Sequence, residues 1–274
     1  MPRLVTTIIF LLFSAVSLRA EIPASVQRLS VALGLPEVIQ IMRDEGLIYG
    51  DELAETMFPG NIGVDWKLMV EEIYNISEMT DAALSELDKL LETNHIDALI
   101  DFFEGDLGAE IVRLEISARH ALLDAETEEA NKANVMRLIA SQSPRIDHLM
   151  QFIEDNNLLE SNVVGALNSN FAFLSGLADG GAYPQTSTDD QILSEIWEQE
   201  PDIRRETSEW LISFLSLAYS PLSDADLAVY FAFSKTDAGQ ALNIALFAGF
   251  DDMFEGISYA LGRAAAEMMS REEL

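Results

Sequence analysis

The chain has no cysteine, only three histidines, and 16 lysines and arginines among 274 residues. Each shortage removes a class of chemistry. Without cysteine there are no disulfides, no thiolate metal sites, no sulfur nucleophile and no lipid-modified amino terminus. The three histidines, His95, His120 and His148, form no H-E-x-x-H pair, so the expectation is no metal centre. A chain with 47 acids and net charge −31 repels nucleic acid and anionic lipid headgroups. The ordinary reading of this excess is a solvated acidic surface. Strand signals are scarce too: no stretch alternates β-branched and polar residues between turns. After residue 20 no run of eighteen clean apolar residues occurs, so no membrane span is expected in the mature chain.

Catalytic motifs are missing as well. There is no G-x-S-x-G, no Ser-x-x-Lys and no P-loop; "GLADGG" lacks the lysine and hydroxyl that hold a nucleotide phosphate. Paired carboxylates are abundant by accident and single out no site. Asp251 and Asp252 with Glu255 form a compact acidic group, but without the ligand order and central glycine of an EF-hand loop. The expectation is no enzyme, no catalytic residue, no cofactor and no metal.

Apolar residues make up 49% of the chain, enough for a substantial core. The first twenty residues read as a secretory signal peptide. "MPR" is a short positive start, "LVTTIIFLLFSAVSL" is a largely apolar run, and Ala20 precedes Glu21. An uncleaved amino-terminal anchor is the alternative. Cleavage after residue 20 takes away Arg3 and Arg19 and no acid, which leaves the mature chain still more negative. Export to the periplasm follows as the expected location.

The rest has helical spacing. Ile96, Leu99, Ile100, Phe103 and Leu107 recur on one face, and Ile111, Leu114 and Ala118 extend the stripe. Thr188 to Gln191 and Ser223 to Asp226 resemble capping boxes. Pro36, Pro144 and Pro201 suit first helical turns, where a missing N–H is not needed. The fold expected is all-α, a helical bundle of ten to thirteen helices.

Shifting the chain by 131 residues places Phe102 on Phe233, Asp106 on Asp237 and Gly108 on Gly239. It also places Trp66 on Trp197 and Gly34 on Gly165. Two related units are therefore expected, 21–140 and 141–274, joined at "SQSP". The aromatic pairs would anchor one helix of a hairpin, and Asp106 and Asp237 would cap the next. The clearest loop is 178–190.

The segments "LPEVIQIMRDEGLIYGDEL", "DALIDFFEGDLGAEIVRLE" and "LSDADLAVYFAFSKTDAGQALNIALFAGFD" resemble bacterial envelope proteins carrying the domain of unknown function 2059. That pattern is a phenylalanine, a short break and a glycine between two helices. Phe102 to Gly108 match it, as do Phe233 to Gly239; Glu104-Gly105 departs from the commoner Ser-x turn. The resemblance implies an exported α-helical protein and implies no activity.

Two functions remain. The first is an interaction or scaffolding module of the bacterial envelope, with an exposed apolar groove for another envelope protein. The alternative is a periplasmic carrier or sensor of an apolar small molecule. Its cavity is expected among Phe173, Phe231, Phe247 and Phe250, beside the flexible Met253, Met268 and Met269.

Overall fold

The computed structural model describes residues 22–58, 63–182 and 189–272. Among them lie thirteen α-helices and no strand. The first six are α1 (Ala24–Ala32), α2 (Leu35–Met57), α3 (Val64–Ile73), α4 (Ile76–Leu90), α5 (Thr93–Phe103) and α6 (Asp106–Ala121). Then comes α7 (Ala125–Ala140). The last six are α8 (Pro144–Asp155), α9 (Leu158–Asp179), α10 (Asp189–Trp197), α11 (Glu200–Ala218), α12 (Asp224–Ser234) and α13 (Asp237–Glu272). The expected signal segment, and the Thr188 end of one expected capping box, lie outside the described residues.

Helix starts follow local chemistry. Asn75 accepts from the Ser77 and Glu78 N–H groups at 2.9 and 3.3 Å, and Asp124 from the Thr127 N–H at 2.8 Å. The Ser223 hydroxyl accepts from the Asp226 N–H at 3.1 Å. Each satisfies a donor that the helix itself leaves free. Pro36, Pro144 and Pro201 lie in first turns, as their spacing predicts. Between α1 and α2 the chain reverses through Gly34 with φ 63°, and between α8 and α9 through Asn157 with φ 52°. Both residue types tolerate the left-handed region.

The α5–α6 and α12–α13 hairpins have the same design. The boundaries Thr93, Phe103 and Asp106 each lie 131 residues before Asp224, Ser234 and Asp237. A Cβ on Gly108 would strike the Phe102 carbonyl and the Phe103 Cα; on Gly239 it would strike the Phe233 carbonyl and the Ser234 Cα. A bare Cα is what lets each second helix turn back against the end of the first. Phe102 and Phe233 stack directly on each other, with centroids 3.7 Å apart and planes 4° from parallel.

Two details differ from the sequence reading. Asp106 and Asp237 are not caps: each is the first residue of its helix, where its charge favours the positive end of the dipole. Gly105 occupies the cap of α6 without a side-chain bond, and at α13 the Gly239 N–H donates to the Thr236 hydroxyl at 3.2 Å. Trp66 and Trp197 occupy unlike places. Trp66 is fully buried near the start of α3, donating to the Gly50 carbonyl at 2.9 Å, whereas Trp197 ends α10 and is 63% exposed.

The core ignores the join at 140–141. Its largest part gathers buried residues of α1 to α5 with those of α13, including Leu29, Ile39, Trp66, Leu87 and Leu99 against Leu242, Ala245 and Leu261. A second part brings Ile111, Leu114 and Ala118 of α6 together with α8, α11 and α12. A third lies under α10 and α9. Thus α6 packs with helices of the second half, and α13 packs both on the first half and along α9 of its own half.

The long α13, about 54 Å at 1.5 Å per residue, runs parallel to α9 along a seam of small residues. Gly165 meets Asp251, Gly176 meets Tyr259 and Arg263, and Gly180 meets Ala266. On another side Gly249 of α13 lies against the Ala83 backbone of α4. Small side chains let these helices approach closely enough to exclude water. No helix among the described residues is long and apolar enough to cross a membrane.

Candidate functional site

The meeting of α6, α8, α11, α12 and α13 leaves a cleft of about 210 Å³. Its wall is mostly carbon. Phe103, Phe152, Phe214, Phe233, Leu211 and Leu246 line it, with Trp210 at one edge. The rings are arranged around one another: Phe152 and Phe231 stack at 4.4 Å, and Tyr219 and Tyr230 meet edge to face at 5.8 Å. Such pairs fix ring orientation as well as burying area.

Glu115 is the one charged side chain among the described lining residues. Helical spacing accounts for its position. It falls four residues after Ile111 and three before Ala118, on the face of α6 that packs inward. Its Oε1 accepts from the Tyr219 hydroxyl at 2.5 Å and from the Tyr230 hydroxyl at 3.4 Å. The first distance is that of a charge-assisted bond. No hydrogen bond reaches Oε2 among the described residues. Burial among the rings pushes the Glu115 carboxyl above the usual range, and the two tyrosine hydroxyls pull it partly back. Burial, and then the nearby Glu115 charge, hold both tyrosines well above the ordinary phenol value.

The other polar edge of the cleft is fully paired. Asn156 caps α8 and donates to the Phe152 carbonyl at 2.9 Å and the Ser234 hydroxyl at 3.2 Å. Its own oxygens accept from Gln240 at 3.1 Å and Asn243 at 2.8 Å. This network pins the end of α8 to the α12–α13 break and leaves little for a ligand to bond. The two edges differ: one closed on itself, the other with carboxylate capacity to spare.

Outside the cleft, Glu45, Arg119, Glu128, Lys132 and Trp210 border a wider polar hollow of about 390 Å³. Its cations are already paired. Arg119 binds Glu45 through two bonds of 3.0 and 2.6 Å, and Lys132 binds Glu128 at 2.7 Å.

The phenylalanines expected to line a cavity do not line this one. Phe173 and Phe250 pack against the main core, and Phe231 backs Phe152 from behind. Phe247 is half-buried on α13 outside the lining. Met253 and Met268 are core residues, not a flexible rim, and Met269 is exposed. Asp251 lies against Gly165 of α9. Among the described residues no group of three acids or histidines is placed to hold a metal ion. Glu92 and His95 do stand at the Glu-x-x-His spacing of di-iron bundles, which need two such pairs. Here Glu92 caps α5, and the buried His95 Nδ1 has no hydrogen-bond partner among the described residues.

The signal that the sequence did hold was Glu115 itself, a carboxylate inside an apolar stripe. Comparison of the chain with protein-family models, curated proteins and solved structures finds no match.

Proposed function

We propose that the protein is a non-catalytic helical binding protein of the bacterial envelope, which carries or senses a small, mainly apolar ligand in the aromatic cleft. The observation that carries this reading is the cleft, open space of about 210 Å³ with a mostly apolar, aromatic wall. An apolar cavity of roughly 150 Å³ takes a molecule the size of benzene. The space here suits a single ring or a short branched chain. A scaffolding module would need an extended exposed apolar groove, whereas this cleft is a small recess of about 210 Å³ between helices.

The same proposal places the protein in the periplasm after removal of residues 1–20. It also takes the chain as two related units, 21–140 and 141–274, akin to proteins with the domain of unknown function 2059. The repeated hairpin supports the two units, with its matching boundaries and its stacked Phe102 and Phe233.

Native mass spectrometry of protein purified from an envelope fraction tests the reading. The expected result is extra mass that leaves on denaturation, and a polypeptide lacking its first twenty residues. The carrier reading is abandoned if the native and denatured masses agree and small aromatic compounds leave the tryptophan fluorescence unchanged.

A further inference from the structure

Glu115 sets the chemistry of the cleft. We propose that the ligand is a small organic cation, an amine or quaternary ammonium on an apolar body, with Glu115 as its counter-ion and the surrounding rings as its cage. The inference rests on the proposed binding role of the cleft and adds the charge of what binds.

Three observations converge on it. The carboxylate stands alone: among the described residues no lysine or arginine lines the cleft, and its two fixed partners, Tyr219 and Tyr230, are neutral donors that both engage Oε1. A part-buried carboxylate without a cation carries a desolvation cost, and a cationic ligand offsets that cost where no side chain does. Second, the wall is rich in aromatic rings, Phe103, Phe152, Phe214, Phe233 and Trp210 among them. Phenylalanine, tyrosine and tryptophan faces attract cations through the ring quadrupole, most strongly where water is excluded. An anion in the same place would meet Glu115 and the negative faces of the rings. Third, the molecule carries a net charge of −31, which raises the local concentration of cations and disfavours anions.

Calorimetric titration of the purified protein with three probes tests the inference: benzyltrimethylammonium, benzylamine and neutral benzyl alcohol. The two cations are expected to bind on the order of tenfold more tightly than the alcohol. Glu115→Gln, which keeps shape and the tyrosine contacts, should bring the cations down to the level of the alcohol and leave the alcohol unchanged. Leu246→Trp, which fills the cleft from a half-buried position, should abolish all three. If the alcohol binds as well as the cations and Glu115→Gln changes nothing, the cation inference fails while the cleft remains a binding site. If no probe binds, both readings fail together. Should Glu115→Gln unfold, the ratio of the two cations to the alcohol on the unaltered protein decides alone, and a ratio near one overturns the inference.

Discussion

Glu115 is a residue whose ionisation works against the fold. Its folded carboxyl lies above the usual range because the charged form is desolvated. The folded state therefore holds its proton more tightly than the unfolded chain. The stability this contributes is fully present below the ordinary glutamate value, and is lost as pH rises through the raised folded one. Chemical denaturation from pH 4 to pH 8 should show the native protein losing stability relative to Glu115→Gln as pH increases. A constant difference across that range would show that the carboxyl is not perturbed.

Gly108 and Gly239 make a second prediction at the same scale. Their missing side chains face backbone atoms, which cannot step aside as a flexible side chain would. Alanine at either position is expected to cost about 1–3 kcal/mol in urea unfolding. Because the two environments match, the two losses should match. A neutral effect at one site alone would show that its hairpin relaxes and the other does not.

Helices of this length need their ends secured and one face buried. Ser223 secures α12 by accepting the Asp226 N–H and donating to the Asp226 carboxylate at 2.6 Å. Ser223→Ala should cost about 1 kcal/mol, read as a lower midpoint in thermal melts, with Ser223→Thr retaining most of the stability. The α9–α13 seam depends on size rather than on hydrogen bonds. Gly176 lies against Tyr259 and Arg263, and Gly262 against Phe173 and Leu177. Leucine at Gly262 should separate the two helices and destabilise by several times the Ser223 effect, since overpacking displaces backbone. Far-ultraviolet dichroism after urea titration checks both.

At the scale of the whole molecule, the packing of α6 and α13 across the join decides how the chain behaves. The first half closes its core only with Leu242, Ala245 and Leu261 of α13, and the second closes only with Ile111 and Leu114 of α6. A fragment ending at residue 140 lacks α13. It is expected to be unfolded or aggregated rather than a stable domain, and the intact protein should unfold in one cooperative step. Size-exclusion chromatography and dichroism of the fragment, with a denaturant titration of the full chain, give the answer. An independently folded fragment would mean that the halves close their own cores.

The helical class, the proline and Ser223 starts, and the two glycine hairpins were legible because they depend on neighbours within a few residues. Ile96, Leu99, Ile100 and Phe103 mark a buried face by spacing alone, and all four are buried. The cleft was not legible in this way. Phe103, Phe152, Phe214 and Phe233 are far apart in the chain, and nothing local separates them from Phe173 or Phe250, which went into the core. Tyr219 and Tyr230 reach Glu115 across more than a hundred residues. The Trp66 and Trp197 match misled for the same reason: residue identity at a fixed offset does not carry burial with it. By itself the sequence determined an acidic, cysteine-free, all-helical protein and the positions of its main chain breaks. Local propensity, capping and hydrophobic period are properties of short stretches. Only the tertiary structure decided that α6 and α13 pack across the join and that one carboxylate faces an aromatic cleft, because packing between distant helices depends on which faces meet.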